Sequence, residues 1–386
     1  MDNNENNYDE ILEKADEIDN QTKKGKKKKI IIITIISLLV VAALAVGSYF
    51  MFFNSKEGPK VKKEKKKVVE KKKLKIVDED SNERPIAIMI DNNVGNNAHA
   101  GLSKAYITYE CIVEGGMTRI MALFKDQDVE LIGPVRSSRH YFLDYALESD
   151  AIYAHFGWSP FAQRDIRALG VNNINGLTDD APYWRDQTIA APHNVFTSIE
   201  KLYATADNKG YSKTTEDWKL LNYTTDEVEL NTPISVKKEK NEETDKTEEV
   251  KEYDPELIEA NNIVIRYSPA QTRSYSYDPE TKRYLRSMNN VEHTDKESKE
   301  VLSYKNVLIV YVTNSTLDSE GRQDLDTVGT GGGYYITNGY ALPINWEKES
   351  RKAKSKYTYT NGEEVKINDG NTIIQVAPTS YQAEIN

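Results

Sequence analysis

The chain has 386 residues, a formal net charge of −10 and a single cysteine, Cys111. One cysteine excludes an intramolecular disulfide. Residues 1–29 carry −1 and residues 54–75 carry +8, which leaves −17 on residues 76–386 and argues against nucleic-acid binding by bulk electrostatics. The length suffices for two modest domains, and the excess of Tyr (24) over Phe (8) suits half-wet β surfaces that keep the hydroxyl in water.

Residues 1–29 show no apolar periodicity and read as a disordered cytoplasmic tail. Residues 30–53, IIIITIISLLVVAALAVGSYFMFF, contain no charge over 24 positions. About 20 apolar residues cross a bilayer core as a helix, which satisfies its own backbone. The stretch therefore reads as one transmembrane helix. Both flanks are basic: six lysines lie within Lys23–Lys29, and eleven within 54–75 against Glu57, Glu64 and Glu70. The densest charge abuts the N-terminal end, and long domains translocate largely regardless of charge. The run exceeds the apolar core of a cleavable signal, and no small-x-small site ends it. The expected topology is a single-pass signal anchor with a cytoplasmic N-terminus and an extracytoplasmic C-terminal part. The basic stalk, 54–80, is either a segment attracted to anionic headgroups or a self-repelling spacer.

Residues 82–212 read as an α/β (or α+β) domain. Arg84–Ile90 is a buried strand closed by the turn-formers Asp91–Asn97, and Ala105–Val113 and Arg119–Lys125 are further strands. Ser137 or Ser138 can cap a helix that puts Tyr141, Phe142, Tyr145 and Ala146 on one face. Ala151–Gly157 is a strand, and Ser159–Gly170 a capped helix with its terminal glycine. Residues 213–258 are charged, poor in apolar residues around 237–252, and read as an exposed loop or linker. Residues 259–386 read as a β-rich C-terminal domain. Its signals are a hairpin around Asp278-Pro279-Glu280-Thr281, the buried strand Asn306–Thr313, a glycine-rich turn or bulge between strands at Gly331–Gly333, and Asn361-Gly362 between strands.

Two constellations can carry chemistry. Gly133-Pro134-Val135-Arg136-Ser137-Ser138-Arg139-His140 places two guanidinium groups and hydroxyls at an expected helix start, where free N–H groups hold anions. The bland alternative is that each arginine pairs with an internal carboxylate. Trp184-Arg185-Asp186 with Pro192-His193-Asn194 is a loop of the kind that lines binding sites, or a surface loop packed by its tryptophan. The ligand-binding candidates are thus Arg136, Ser137, Arg139, Trp184, Arg185 and His193, and most of Arg136, Arg139, His155, Trp184, Arg185 and His193 are expected to line one cleft. Catalytic candidates are His155 and His193 as acid and base, with Asp91 or Glu114 as the carboxylate. A buried, inert histidine and an Asx-turn aspartate are the ordinary alternatives for His155 and Asp91. The five histidines are scattered and no HExxH or CxxC occurs, so neither a metal nor another cofactor is expected. Cys111 reads as a buried thiol.

RPIAIMIDN, GLSKAYITYE, EGGMTRIMALF, IGPVRSSRHYF, DAIYAHFGWSP, YWRD and APHNVFTS, with YSYDPETKRYLR and GTGGGYYITNGYALPINWEK further on, resemble the YerB-like family of bacterial lipoproteins. The resemblance covers roughly residues 82–380. It implies two domains and an outward-facing envelope location, with no established activity. The family's lipobox cysteine has no counterpart in residues 30–55, so a transmembrane anchor is expected in place of a lipid. Three functions remain open. One is an envelope protein binding an anionic cell-wall or peptide ligand. The others are a cell-wall hydrolase or transferase, and a structural partner of other membrane proteins.

Overall fold

The structure, a computed structural model, describes residues 24, 25, 28, 34–39, 42, 72–93, 95, 97–240 and 247–386. The chain forms two compact units, Met1–Glu70 and Lys71–Asn386. In the first, residues 34–39 are helical. The rest of the expected tail and most of the expected membrane helix and basic stalk lie outside the described residues. Among the described residues no helix is long and apolar enough to cross a membrane.

The second unit is built on one long mixed sheet. Its first half supplies β1 (Ile86–Asp91), β2 (Ile107–Ile112), β3 (Thr118–Phe124), β4 (Ile152–His155) and β5 (Asn173–Asn175). The helices of this half are α1 (Phe142–Glu148), α2 (Pro160–Leu169) and α3 (Ile199–Asn208). The second half begins with β6 (Ile258–Glu259), β7 (Asn262–Ser268), β8 (Gln271–Asp278), β9 (Arg283–Met288), β10 (Val291–Glu292) and β11 (Ser303–Tyr304). It continues with β12 (Asn306–Val312), β13 (Gly329–Thr337), β14 (Tyr340–Lys348), β15 (Lys356–Tyr359), β16 (Thr372–Pro378) and β17 (Glu384–Ile385).

The long sheet runs β6-β14-β13-β12-β16-β2-β3-β1-β4-β5, with β15 also on β14. The joint between the halves is the parallel pair β2 and β16, in register from Ile107 opposite Thr372 to Cys111 opposite Val376. A second sheet, β10-β9-β8-β7-β17 with β11 on β9, comes wholly from the C-terminal half. β1, β2, β3 and β16 are buried along their whole lengths; β1 accordingly reads as a continuous apolar run, whereas β2, ITYECI, alternates in sequence although both its faces are covered.

Several local expectations hold. The Ser159 side chain accepts from the Ala162 N–H, and Gly170 closes α2 in the left-handed region. Others change. α1 starts at Phe142 without a side-chain cap. Ser138 instead pairs its backbone with Gly157 and Ser159, and its hydroxyl accepts from Tyr153 at 2.8 Å. Sheet-end pairing has displaced the cap. Gly331–Gly333 lie inside β13, not in a turn. A Cβ on Gly333 would sit 1.9 Å from the Ile309 carbonyl oxygen, and one on Gly331 2.5 Å from the Trp346 indole nitrogen. Close approach of neighbouring strands explains the glycines. In the charged run, Ser235–Lys240 and Thr247–Glu252 form an exposed antiparallel ladder that opposes Lys238 to Glu249. The same ladder opposes Glu239 to Glu248, so its cross-strand charges are mixed in sign.

The two sheets meet across a buried polar network. Glu110 of β2 is completely buried. Its Oε1 accepts from Arg273 Nε at 2.5 Å, Asn92 Nδ2 at 2.8 Å and Thr118 Oγ1 at 2.7 Å. Its Oε2 accepts from Arg286 at 2.7 Å and Gln375 Nε2 at 3.0 Å. Both arginines are also completely buried. Burial alone would raise the Glu110 pKa, but Arg286 and Arg273, helped by Gln375 and Thr118, hold it at about 2.

From Arg286 a chain of hydrogen bonds leads back to β1. Arg286 bonds His293 Nδ1, His293 Nε2 bonds His99 Nδ1 at 2.8 Å, and His99 Nε2 bonds the Asp91 carbonyl at 2.5 Å. A carbonyl only accepts, so His99 Nε2 carries the proton and its Nδ1 must accept. His293 Nε2 then donates, and its Nδ1 accepts from the guanidinium. Both rings are neutral in this arrangement. Burial, with Arg286 close by, lowers His99 to about 4 and holds His293 well below the ordinary value.

Glu110→Ala removes the carboxylate that faces Arg273 and Arg286. It should cost about 3–5 kcal/mol in urea denaturation, the range for breaking a buried ion pair. A loss below about 1 kcal/mol would show that the network is dispensable. Buried His155 is likewise lowered, to about 4, chiefly by desolvation. Below pH ~6.5 the unfolded chain takes protons on His99, His155 and His293 that the folded chain refuses, so stability should fall from there towards pH 4. Each histidine contributes a slope of about 1.4 kcal/mol per pH unit. Urea midpoints that stay level between pH 7.5 and 5 would contradict this.

Candidate functional site

The site sits at the C-terminal end of β1, where the chain crosses three times. The 134–136 segment lies against β1: Asp91 N–H donates to Pro134 O at 2.8 Å and Arg136 N–H to Met89 O at 2.9 Å. The short strand Val195–Phe196 lies on the other side, with Val135 N–H donating to Val195 O at 2.6 Å. These backbone bonds bring Asp91, Arg136 and His193 together. Asp91 is buried and its Oδ2 faces His193 Nδ1 at 2.7 Å and Arg136 Nε at 3.2 Å. The His193 and Arg136 side chains stay 30% and 27% exposed. The carboxylate accepts, so Nδ1 of His193 donates and Nε2 is left outward-facing and able to accept.

A second tier stands beside this triad. Arg119 of β3 is opposite Asp91 in register and only 7% exposed. One guanidinium nitrogen donates to Ser137 O at 2.5 Å, while its Nε is buried with no acceptor. Burial and neighbouring Arg139 lower its pKa to about 10, against the pull of Asp91 and Glu114. Arg139 grips Glu114 through two bonds, Nε to Oε1 at 2.5 Å and NH2 to Oε2 at 2.9 Å. Burial opposes ionisation of Glu114, yet that bidentate contact holds its pKa below the usual value. Three guanidinium groups thus stand against two carboxylates. One positive charge is uncompensated, and one buried donor is unmatched.

The remaining candidates take other places. Ser137 donates its hydroxyl to Phe156 O at 2.9 Å and lends its carbonyl to Arg119. Arg185 bonds Asn194 Oδ1 at 2.7 Å and lies over the Phe156 ring, so it orders the loop that carries His193. Trp184 pairs with Phe196 in the same small ladder and lies under Lys201. His155 is completely buried, with Nδ1 bonded to Gly157 O at 2.7 Å and Nε2 to Asn173 Oδ1 at 3.3 Å. Both of its nitrogens are engaged, and it shares no partner with His193. Glu114 serves Arg139 rather than a histidine. The expected gathering of six residues reduces to Arg136 and His193 on Asp91, with Arg139 beside them in its own ion pair. Cys111 is buried, and burial raises its thiol pKa well above the ordinary value. Among the described residues no group of His, Cys, Asp and Glu could hold a metal ion.

Sequence reasoning missed Arg119 and the histidine chain. The signal for Arg119 was present: a charged residue opening the apolar run RIMALFK, three positions after Gly116. His99 and His293 are 194 positions apart and carry no local signature.

The chain matches the family described as "Protein of unknown function (DUF3048) N-terminal domain" over residues 74–212, and the C-terminal domain of the same family over residues 263–374. It is 30% identical over 298 residues to "Putative lipoprotein YerB" of Bacillus subtilis (strain 168), a match spanning 77% of this chain and 80% of that protein. The crystal structure of YerB protein from Bacillus subtilis superposes with a TM-score of 0.68 at 28% identity, covering 82% of this chain and all of that one. Alike in sequence across both domains and alike in fold, the chain belongs to the YerB-like, DUF3048 family.

Proposed function

We propose that this protein is a membrane-anchored, extracytoplasmic envelope protein that binds an anionic group at the Asp91–Arg136–His193 site. The observation that carries the binding reading is the uncompensated charge. Arg119 keeps a buried donor without an acceptor, and Arg136 reaches partial solvent beside it. A carboxylate or phosphate accepts bidentately from such groups and balances them. The acidic character of the rest of the body makes this cationic spot selective for place rather than for bulk charge. A cell-wall fragment bearing carboxylates, or a peptide C-terminus, has the required chemistry.

The location rests on two supports. The Bacillus subtilis relative is named "Putative lipoprotein YerB", and residues 30–53 here are long and apolar enough for a span. The Asp91–His193 pair favours a second reading, hydrolysis. A histidine oriented by a carboxylate, with its far nitrogen open, is the arrangement of a general base that activates water.

Protease added to whole cells should degrade residues 84–386; full protection in whole cells with cleavage after lysis would overturn the outward topology. Binding is checked by calorimetry of the full chain in nanodiscs with muramyl dipeptide and with inorganic phosphate. Arg136→Ala should weaken binding by about 1.5–3 kcal/mol, the value of a charged hydrogen bond, with the melting temperature little changed. Unaltered affinity would remove Arg136 from the site. Mass spectra of the muropeptide after incubation separate the readings: new fragments that vanish in His193→Ala support hydrolysis, and an unchanged mass refutes it for that substrate.

A further inference from the structure

The loop that carries His193 is held from the C-terminal half of the chain. Gln187, Thr188 and residues 190–192 are exposed, so the crest of this loop has little burial to order it. Its two ends are tied together at Asp186 and Asn194. Asp186 N–H donates to Asn194 O at 2.8 Å, and Asn194 Nδ2 donates to Asp186 O at 3.1 Å. Whatever fixes Asp186 therefore fixes the peptide beside His193.

Asp186 is fixed by Lys296. Its Oδ1 is occupied within the loop, accepting from Thr188 N–H at 2.9 Å and Thr188 Oγ1 at 2.5 Å. Its Oδ2 accepts from the Lys296 ammonium, which also lies 4.8 Å from the centre of the Phe196 ring. Lys296 stands between β10 and β11, and its backbone is anchored before its side chain reaches out. Lys296 N–H donates to His99 O at 2.6 Å. The neighbouring Asp295 carboxylate is buried, and accepts from Gly101 N–H at 3.0 Å and Glu297 N–H at 2.9 Å. The same turn carries His293, bonded to His99 at 2.8 Å. The root of the Lys296 side chain is thus tied to the seam between the two sheets. Its bond is the largest influence holding the Asp186 carboxyl down at about 2, so the pair stays charged at neutral pH.

A histidine on an exposed loop needs such a hold. Imidazole free in water favours the proton on Nε2, whereas the bond to Asp91 requires it on Nδ1. We propose that Lys296 is a positioning residue: by clasping Asp186 it holds His193 on Asp91. The C-terminal half then completes a site whose principal groups, Asp91, Arg136 and His193, all come from the N-terminal half. The consequence for ligand affinity rests on the anion-binding reading above; the placement of His193 does not.

The test is nitrogen-15 NMR of the full chain in nanodiscs, labelled in histidine, at a pH of about 8 where imidazoles are neutral. The His193 signals are assigned by their loss in His193→Gln. The native chain should show His193 protonated on Nδ1. Lys296→Met keeps an apolar stem over Phe196 without the ammonium, and Asp186→Asn keeps an oxygen for Thr188 without the charge. Both should move His193 towards the Nε2–H form, and Lys296→Arg should keep it on Nδ1, with native circular dichroism throughout. Amide exchange of residues 187–193 should rise about ten-fold in Lys296→Met and Asp186→Asn, while residues 99–101 stay as protected as before. Affinity for inorganic phosphate should fall about three-fold in both, as the formed loop becomes less populated, and recover in Lys296→Arg. A tautomer shift without phosphate binding by any form supports the clasp and refutes the anion-binding reading alone. A native ring already in the Nε2–H form, or a tautomer and loop exchange unaltered in both variants, overturns the proposal whether or not phosphate binds.

Discussion

The carboxylate of Glu110 is the constraint on which the rest of the second unit depends. It is a full charge in the dry seam between two sheets, and burying it without partners would be prohibitive. The partners come from both adjacent strands and from the second sheet: Gln375 is its register partner on β16, Thr118 lies on β3, Asn92 follows β1, and Arg273 and Arg286 come from the second sheet. Apolar packing tolerates sliding, whereas a five-donor carboxylate does not. The network thereby sets how the C-terminal sheet lies on the N-terminal strands.

That placement propagates to the candidate site. The bonds from Arg286 through His293 and His99 end on the backbone of Asp91, the residue whose side chain holds Arg136 and His193. One residue thus faces the buried network with its carbonyl and the solvent-reaching groups with its carboxylate. The two halves of the chain also meet at the β2–β16 joint, so a site built at the end of β1 is steadied from both directions.

Much of the strand inventory was legible from sequence because burial writes itself as composition. RPIAIMI, RIMALFK and NVLIVYVT are apolar on both faces, and each is a strand lying in the interior of the long sheet. Asp278 to Arg283 turned where the Asp-Pro-Glu-Thr signal placed it. Errors arose where a longer-range bond outweighed a local preference. Ser138 is a good cap by type, yet its backbone was needed by Gly157 and Ser159. Gly331–Gly333 resemble a turn, yet the neighbouring strand requires their missing side chains.

For the site, the sequence by itself determined which residue types were present, that Arg136 and Arg139 lay close together, and that His193 sat on a loop with Arg185 and Asn194. Those are short-range facts, carried by adjacent letters. Only the tertiary structure decided that Asp91 joins Arg136 to His193, that Glu114 instead neutralises Arg139, and that His155 is enclosed with both nitrogens occupied. A charge's partner is whichever opposite charge the folded backbone brings within a few ångströms. For Asp91 and His193 that partner is 102 positions away, a distance at which no pattern of neighbouring residues can record the pairing.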